Sequence, residues 1–188
     1  ENVAIGSNAL DANTTGSSNV AVGQGALDAN TTADNNTAVG HDSMKVNTTG
    51  AENSALGKGA LNANTTGSYN TALGRSALLL NTTTSYNTAV GYQALSGAIT
   101  NNYHVAVGYQ TLQSNTSGGQ NVALGGQALK ANTTASNNIG VGFNALTLTT
   151  TGGDNVSVGN YALAANTTGT YNIAVGRSAL NANTTASN

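Results

Sequence analysis

The side chains that could do acid–base or metal chemistry are few and scattered. Seven carboxylates and two histidines occur in 188 residues: Glu1, Asp11, Asp28, Asp34, Asp42, Glu52, Asp154, His41 and His104. General acid–base catalysis needs two such groups at one substrate, and a metal site needs several ligands together. Neither pattern is present, so the sequence predicts no enzyme, no catalytic residue, no bound metal and no cofactor. We interpret His41 and His104 as variants tolerated at the surface.

Hydroxyl groups are more regularly placed. Threonine pairs follow an asparagine at constant spacing, from Thr14 and Thr15 through to Thr184 and Thr185. Because side chains alternate along an extended chain, one threonine of each pair must face outward. The resulting file of hydroxyl and methyl groups would resemble the threonine arrays of ice-binding solenoids, although threonine is also simply a good strand residue. Ice binding is therefore the alternative function.

Tyrosines form a third candidate surface. Tyr69, Tyr86 and Tyr103 follow one another at 17-residue spacing, and so do Tyr92 and Tyr109. In a stack of coils these residues would make two short aromatic columns. Such columns are candidate surface contacts for sugars or other surfaces, although packing between chains is the favoured interpretation.

All of these residues belong to one repeated pattern, Asn-x-Ala-(Val/Ile/Leu)-Gly-x-x-Ala-Leu-x-x-Asn-Thr-Thr-x-x-x. It occurs eleven times with a period of 17 residues, in a single array over 2–188. The units are 2–18, 19–35, 36–52, 53–69, 70–86, 87–103, 104–120, 121–137, 138–154, 155–171 and 172–188. Residues are numbered below by position 1 to 17 within a unit. A fixed period of this length is typical of a solenoid, in which each unit contacts its neighbours.

Composition excludes several classes of partner. Five Lys and Arg residues and a net charge of −2 cannot neutralise a phosphate backbone, so we expect no nucleic acid. No run of about 18 apolar residues exists, so we expect no membrane insertion. The chain has no Cys and no Pro, and its turns must therefore be made by Gly, Asn and Ser.

The unit itself predicts an all-β fold. Asn-x-Ala-Val-Gly and Ala-Leu-x-x-Asn-Thr-Thr both read as short extended segments, whereas one Gly in every unit and no 3.6-residue stripe disfavour a helix. We therefore expect a parallel β-solenoid, or β-roll, of eleven 17-residue coils with two short strands per coil. At about 4.8 Å per coil the rod would be roughly 53 Å long.

Stacking places identical residues above one another and so predicts structural ladders. The position-1 ladder begins Asn2, Asn19, Asn36, Asn53, Asn70 and Asn87, and a second asparagine file lies at position 12. The position-5 file begins Gly6, Gly23, Gly40, Gly57, Gly74 and Gly91. We expect each of these glycines to need a special backbone angle or a close backbone contact.

The small residue at position 3 suggests quaternary structure. If the aliphatic residue at position 4 faces the core, the opposite strand face is a flat stripe of Ala and Gly that permits close approach of another chain. With few large apolar residues per coil, association would supply the missing buried area. We expect a homo-oligomer, with a trimer as the favoured form. The end units are as regular as the middle ones, which predicts either a piece cut from a longer array or a unit that stacks end to end into a filament.

The sixth unit departs most from the pattern. Ala98 stands at an asparagine position, Ile99 at a threonine position, and His104 opens the next unit in place of Asn. Two ladders are therefore interrupted within seven residues. We expect the weakest point of the rod there, unless the neighbouring tyrosines pack over it and compensate, namely Tyr86, Tyr92, Tyr103 and Tyr109.

The motifs Asn-Val-Ala-Ile-Gly (2–6), Asn-Val-Ala-Val-Gly (19–23) and Asn-Ile-Ala-Val-Gly (172–176) resemble the head repeats of trimeric autotransporter adhesins. The longer formula, as in 87–95, resembles repeat arrays of phage tail-fibre proteins. This resemblance implies a trimeric β-roll and a structural shaft with a surface-adhesion role. It also implies an extracellular, cell-surface or virion-surface location, and a glycan or cell-surface receptor as partner. The 17-residue period is longer than is usual for the adhesin heads.

Overall fold

The computed structural model describes residues 1–187 as one stack of coils with a single three-residue strand in each coil. The strands are β1 Val3–Ile5, β2 Val20–Val22, β3 Thr37–Val39, β4 Ser54–Leu56, β5 Thr71–Leu73, β6 Thr88–Val90, β7 Val105–Val107, β8 Val122–Leu124, β9 Ile139–Val141, β10 Val156–Val158 and β11 Ile173–Val175. They form one parallel sheet in chain order, each residue pairing with the residue 17 positions later. The predicted all-β parallel β-solenoid is confirmed. In the described part of the chain, no helix is long and apolar enough to cross a bilayer.

The second predicted strand of each coil is absent from residues 1–187. Positions 6–14 instead form successive turns, in which Ala26 N–H donates to Gly23 O and Asn30 N–H donates to Leu27 O. The reason is the residue at position 9, Leu in ten coils and Met44 in the third, which has a left-handed backbone with φ near +50° in every coil, for example 52° at Leu27. Left-handed Leu is strained by roughly 1–2 kcal/mol. Full burial of its side chain contributes about as much in return.

The interior of the solenoid is a narrow column of Leu and Ala. The position-9 residues from Leu27 to Leu163 are fully buried, together with the Ala file at position 8. The position-3 side chains also point inward: a Cβ built on Gly140 would lie 3.5 Å from Leu129 Cδ1. The interpretation of the Ala–Gly stripe as an outer face is therefore wrong. Position 3 is small because the Leu from the opposite side of the coil fills the interior.

The residues at positions 2 and 4 consequently face outward. Leu56 and Val158, both at position 4, are 51% and 38% exposed, and Val107 is half-buried between its neighbours in the sheet. We call this file of Val, Ile, Leu, Thr and Ser the outer sheet face. It is continuous from β1 to β11.

The sixth unit contains a local shift of one residue. Thr100 N–H donates to Thr116 O at 2.8 Å, 16 residues on instead of the usual 17. Ile99 therefore takes the interior place of the position-12 asparagine and is 3% exposed, while Ala98 lies outside. The register is regained at Asn102, whose Oδ1 accepts from Ser85 N–H, 17 residues earlier. The asparagine file is interrupted as predicted, but by Ile99 rather than Ala98.

Candidate functional site

Two asparagine ladders hold successive coils together. At position 1, the backbone N–H of Asn36 donates to Asn19 Oδ1 at 2.9 Å, and this bond recurs along the array. At position 12, Asn64 Nδ2 donates to Asn47 Oδ1 at 2.7 Å. Both files also bind the corner of their own coil, since Asn2 Nδ2 and Asn13 Nδ2 both donate to Gly16 O. The predicted ladders are confirmed, and the two files together fix the position-15 carbonyl.

The position-12 ladder has a second break that the sequence analysis missed. Thr149 occupies this position in the ninth unit and is fully buried. Asn132 Oδ1, which faces it from the preceding coil, is buried without a hydrogen-bond partner among residues 1–187. The period alone could have located this break, because Thr149 stands where most units have Asn.

Thr149→Asn should stabilise the protein by about 1–2 kcal/mol, because the new carboxamide would give Asn132 Oδ1 a donor. The measurement is the free energy of unfolding in urea. Thr147→Asn makes the same chemical change at a half-exposed position and should stay within about 0.5 kcal/mol of wild type. If both variants change stability equally, the ladder contributes nothing at this position.

His104 lies in the position-1 ladder and is fully buried, so its interpretation as a surface variant is wrong. Its backbone N–H donates to Asn87 Oδ1 at 3.1 Å, and its Nδ1 accepts from Asn121 N–H at 3.4 Å. The ring Nε2 lies 3.4 Å from Asn115 Nδ2, and the Gly118 backbone is a further hydrogen-bonding neighbour of the ring. Burial lowers the pKa of His104 to about 4, an effect that the Gly118 bond partly opposes. His104 therefore replaces an asparagine in the ladder as a neutral ring.

The threonine pairs divide into two kinds. The first threonine donates its hydroxyl to the backbone of the next coil, as Thr48 Oγ1 does to Thr65 O at 3.0 Å. The second threonine, such as Thr49 or Thr66, is exposed. Of the two threonine files, the one at position 14 is therefore the file whose hydroxyl groups are free to bind something outside the coil.

The tyrosines stack in the two predicted columns. The ring centroids of Tyr69 and Tyr86 are 5.0 Å apart, and those of Tyr86 and Tyr103 are 5.4 Å apart, with rings within 12° of parallel. Tyr92 and Tyr109 are 5.7 Å apart, and Arg75 lies 5.8 Å from the Tyr92 ring. The carboxylate of Glu52 raises the pKa of Tyr69, with a smaller contribution from Tyr86. Within a column, each tyrosine ring is therefore covered by its neighbours. Only the ring at the end of a column has a face that no other tyrosine covers.

One column ends at a notch of about 330 Å³ in the surface. Its lining residues are Asn101, Asn102, Tyr103, Gly119, Gln120 and Ser136. We call it the Tyr103 notch. It exists because Gly119 at position 16 has no side chain, whereas Asn102 and Ser136 occupy that position in the coils on either side.

The ionisable groups form no comparable site. His41 Nδ1 lies 3.0 Å from Asp42 Oδ2, and Lys45 Nζ lies 3.1 Å from Asp42 Oδ1, in a surface cluster. Exposed pairs of this kind contribute about 1 kcal/mol or less. Across residues 1–187, no three His, Asp or Glu side chains are grouped closely enough to hold a metal ion.

Comparison of the chain with protein-family models, curated proteins and solved structures finds no match. What can be inferred about function therefore comes from the geometry of the chain itself.

Proposed function

We propose that this chain is a rigid, non-enzymatic shaft or filament segment with a surface-adhesion role, as in an adhesin, a tail fibre or an extracellular fibre. The observation that carries the proposal is the outer sheet face, a continuous file of aliphatic and small polar side chains along all eleven strands. A shaft of this kind acts outside the cell, at a cell surface or on a virion.

The outer sheet face needs a cover. All-parallel sheets occur almost only with both faces covered, and here the coil covers one face. The rod is roughly 53 Å long, and positions 1 to 5 of each coil span roughly 16 Å, so the outer sheet face has an area of about 850 Å² without either tyrosine column. A stable interface needs about 800 Å² from each partner. The patch is therefore large enough to bind another copy of the chain.

Further copies of this chain are the partner that fits best. The file repeats every 17 residues, so a second copy presents the same rung spacing and the same aliphatic side chains. Few charges lie along it, since the chain has 12 charged residues in total, and its net charge of −2 allows close association. A cyclic trimer would direct three such faces toward a common axis and close the assembly.

In solution the protein should have three times the 18.5 kDa mass of one chain. Sedimentation equilibrium over a range of concentrations measures this. Val107→Lys places a charge at the centre of the outer sheet face and should dissociate the assembly. Thr134→Lys places the same charge at an exposed corner and should leave the mass unchanged. A single-chain mass for the wild-type protein at every concentration would contradict the proposal.

Ice binding remains the second candidate, supported by the exposed threonines at position 14. The geometry favours it less than the shaft, because the first hydroxyl of most pairs, as at Thr48, is already bound to the next coil. Thermal hysteresis with crystal shaping would favour ice binding over the shaft.

A further inference from the structure

We infer that the Tyr103 notch binds a neutral saccharide. This inference rests on the proposed adhesive role and names the ligand chemistry that would serve it. At this notch the free end of a tyrosine column meets a surface cavity lined by side-chain amides.

The aromatic wall of the notch is the open face of Tyr103. Tyr86 covers one side of this ring at 5.4 Å, and the next coil carries Gln120 at the equivalent position instead of another tyrosine. Tyr103 is 57% exposed, more than the 49% of Tyr86. A flat ring with one free face suits the C–H face of a sugar ring, and the underlying tyrosines hold it in a fixed orientation.

The polar walls are held in place yet keep free hydrogen-bonding atoms. Asn102 Oδ1 accepts from Ser85 N–H at 2.9 Å, and Ser136 Oγ accepts from Gly119 N–H at 3.0 Å. Asn101 Nδ2 donates to Ser117 O. Asn102 Nδ2, Asn101 Oδ1 and the Gln120 carboxamide make no hydrogen bond to residues 1–187. A carboxamide offers both donors and acceptors, which vicinal sugar hydroxyls also require.

The charge and size of the notch narrow the ligand class. None of its lining residues is ionisable at neutral pH, so it has no group to pair with a carboxylate or a phosphate. A neutral sugar is therefore favoured over sialic or uronic acids. The volume of about 330 Å³ lies at the lower end of the range for small-ligand sites, about 300–1,000 Å³, which fits one or two sugar rings.

The test is saturation-transfer NMR of the intact chain with glucose, galactose, mannose and N-acetylglucosamine and their disaccharides, and with sialic acid as the charged comparison. We expect transfer to at least one neutral sugar, and its loss in Tyr103→Ala. Tyr109→Ala is the matched control, because Tyr109 also ends a stacked pair, is 51% exposed and lies beside Gly126. It should bind as wild type does.

Gly119→Thr fills the notch without altering Tyr103. The tenth unit already carries Thr170 at this position, and a Cβ on Gly119 would lie 3.4 Å from Asn101 Cβ, an ordinary contact. The variant should fold and should lose saccharide binding at least tenfold. The inference is overturned if no neutral sugar shows saturation transfer, or if sialic acid alone shows it. It is also overturned if Tyr109→Ala loses saccharide binding or if Gly119→Thr keeps it, because either result would place the binding on another surface. The oligomer mass tests the shaft separately, so either proposal can fail alone.

Discussion

Gly91→Val should destabilise the protein by at least about 4 kcal/mol or prevent folding. Gly91 has φ of +130°, a region that is essentially restricted to glycine. A Cβ at this position would also lie 2.5 Å from Gly108 O and 2.7 Å from Gly108 C in the next coil. The backbone cannot move away without breaking the strand pairing on that side, and damage spreads to neighbouring coils. Thermal and urea unfolding measure the effect.

Two other glycines separate the causes. Gly176 has φ of +126° but nothing within 4 Å of its Cβ position, so Gly176→Val reports mainly the cost of the backbone angle and should be milder. Gly126 lies outside the left-handed region, and its Cβ would meet only the Phe143 ring at 3.3 Å, which can rotate. Gly126→Val should be close to neutral. Equal losses in Gly91→Val and Gly126→Val would refute the assigned role of position 5.

The 17-residue period was enough to predict the fold and its ladders. A strict repeat forces the same contact in every coil, so Gly91 and the asparagine files could be assigned from spacing alone. Spacing alone could not show which face of the strand points into the interior, because hydropathy places Val inside and Ala outside. The observed order is the reverse, since the residue at position 9 already fills a narrow interior, and only a small residue such as Ala, or Gly140 beside Leu129, fits opposite it.

The aromatic columns were predictable, but the notch beside them was not. Spacing gives the stack of Tyr69, Tyr86 and Tyr103 directly. The notch depends on Gly119, which is unremarkable in the sequence because Gly is common at corners. The one-residue shift in the sixth unit was also hidden, because it arises from a competition: Ile99 gains more from burial than Ala98, so the chain shifts to place Ile99 inside.

His104 should make the middle of the rod sensitive to acid. Its hydrogen-bonding neighbours, Asn87, Asn115, Asn121 and Gly118, are all uncharged, so no opposite charge is among them to stabilise a protonated ring. Protonation would also turn Nδ1 from an acceptor into a donor facing the Asn121 N–H. Burial therefore holds the pKa of His104 at about 4, below the ordinary value of 6.5.

The sign of the pH effect follows from these two pKa values. Between pH 6.5 and pH 4 the unfolded chain binds a proton that the folded chain does not, so acid favours unfolding. The stability present above pH 6.5 should fall by about 3 kcal/mol as the pH drops to about 4, and the loss from this residue should level off just below that pH. The free energy of unfolding, measured in urea from pH 8 to pH 4, tests this expectation.

His104→Asn is the decisive variant, because it restores the residue that the other ten units carry at position 1. The two proteins share every other ionisable group, so the difference between wild type and His104→Asn isolates the histidine. That difference should grow by about 3 kcal/mol between pH 6.5 and pH 4. His41→Asn, at an exposed site, should keep the full acid sensitivity of the wild type. If His104→Asn loses stability with pH in parallel with wild type, the ladder tolerates a charged ring, and the weak point of the rod lies in the Ile99 shift instead.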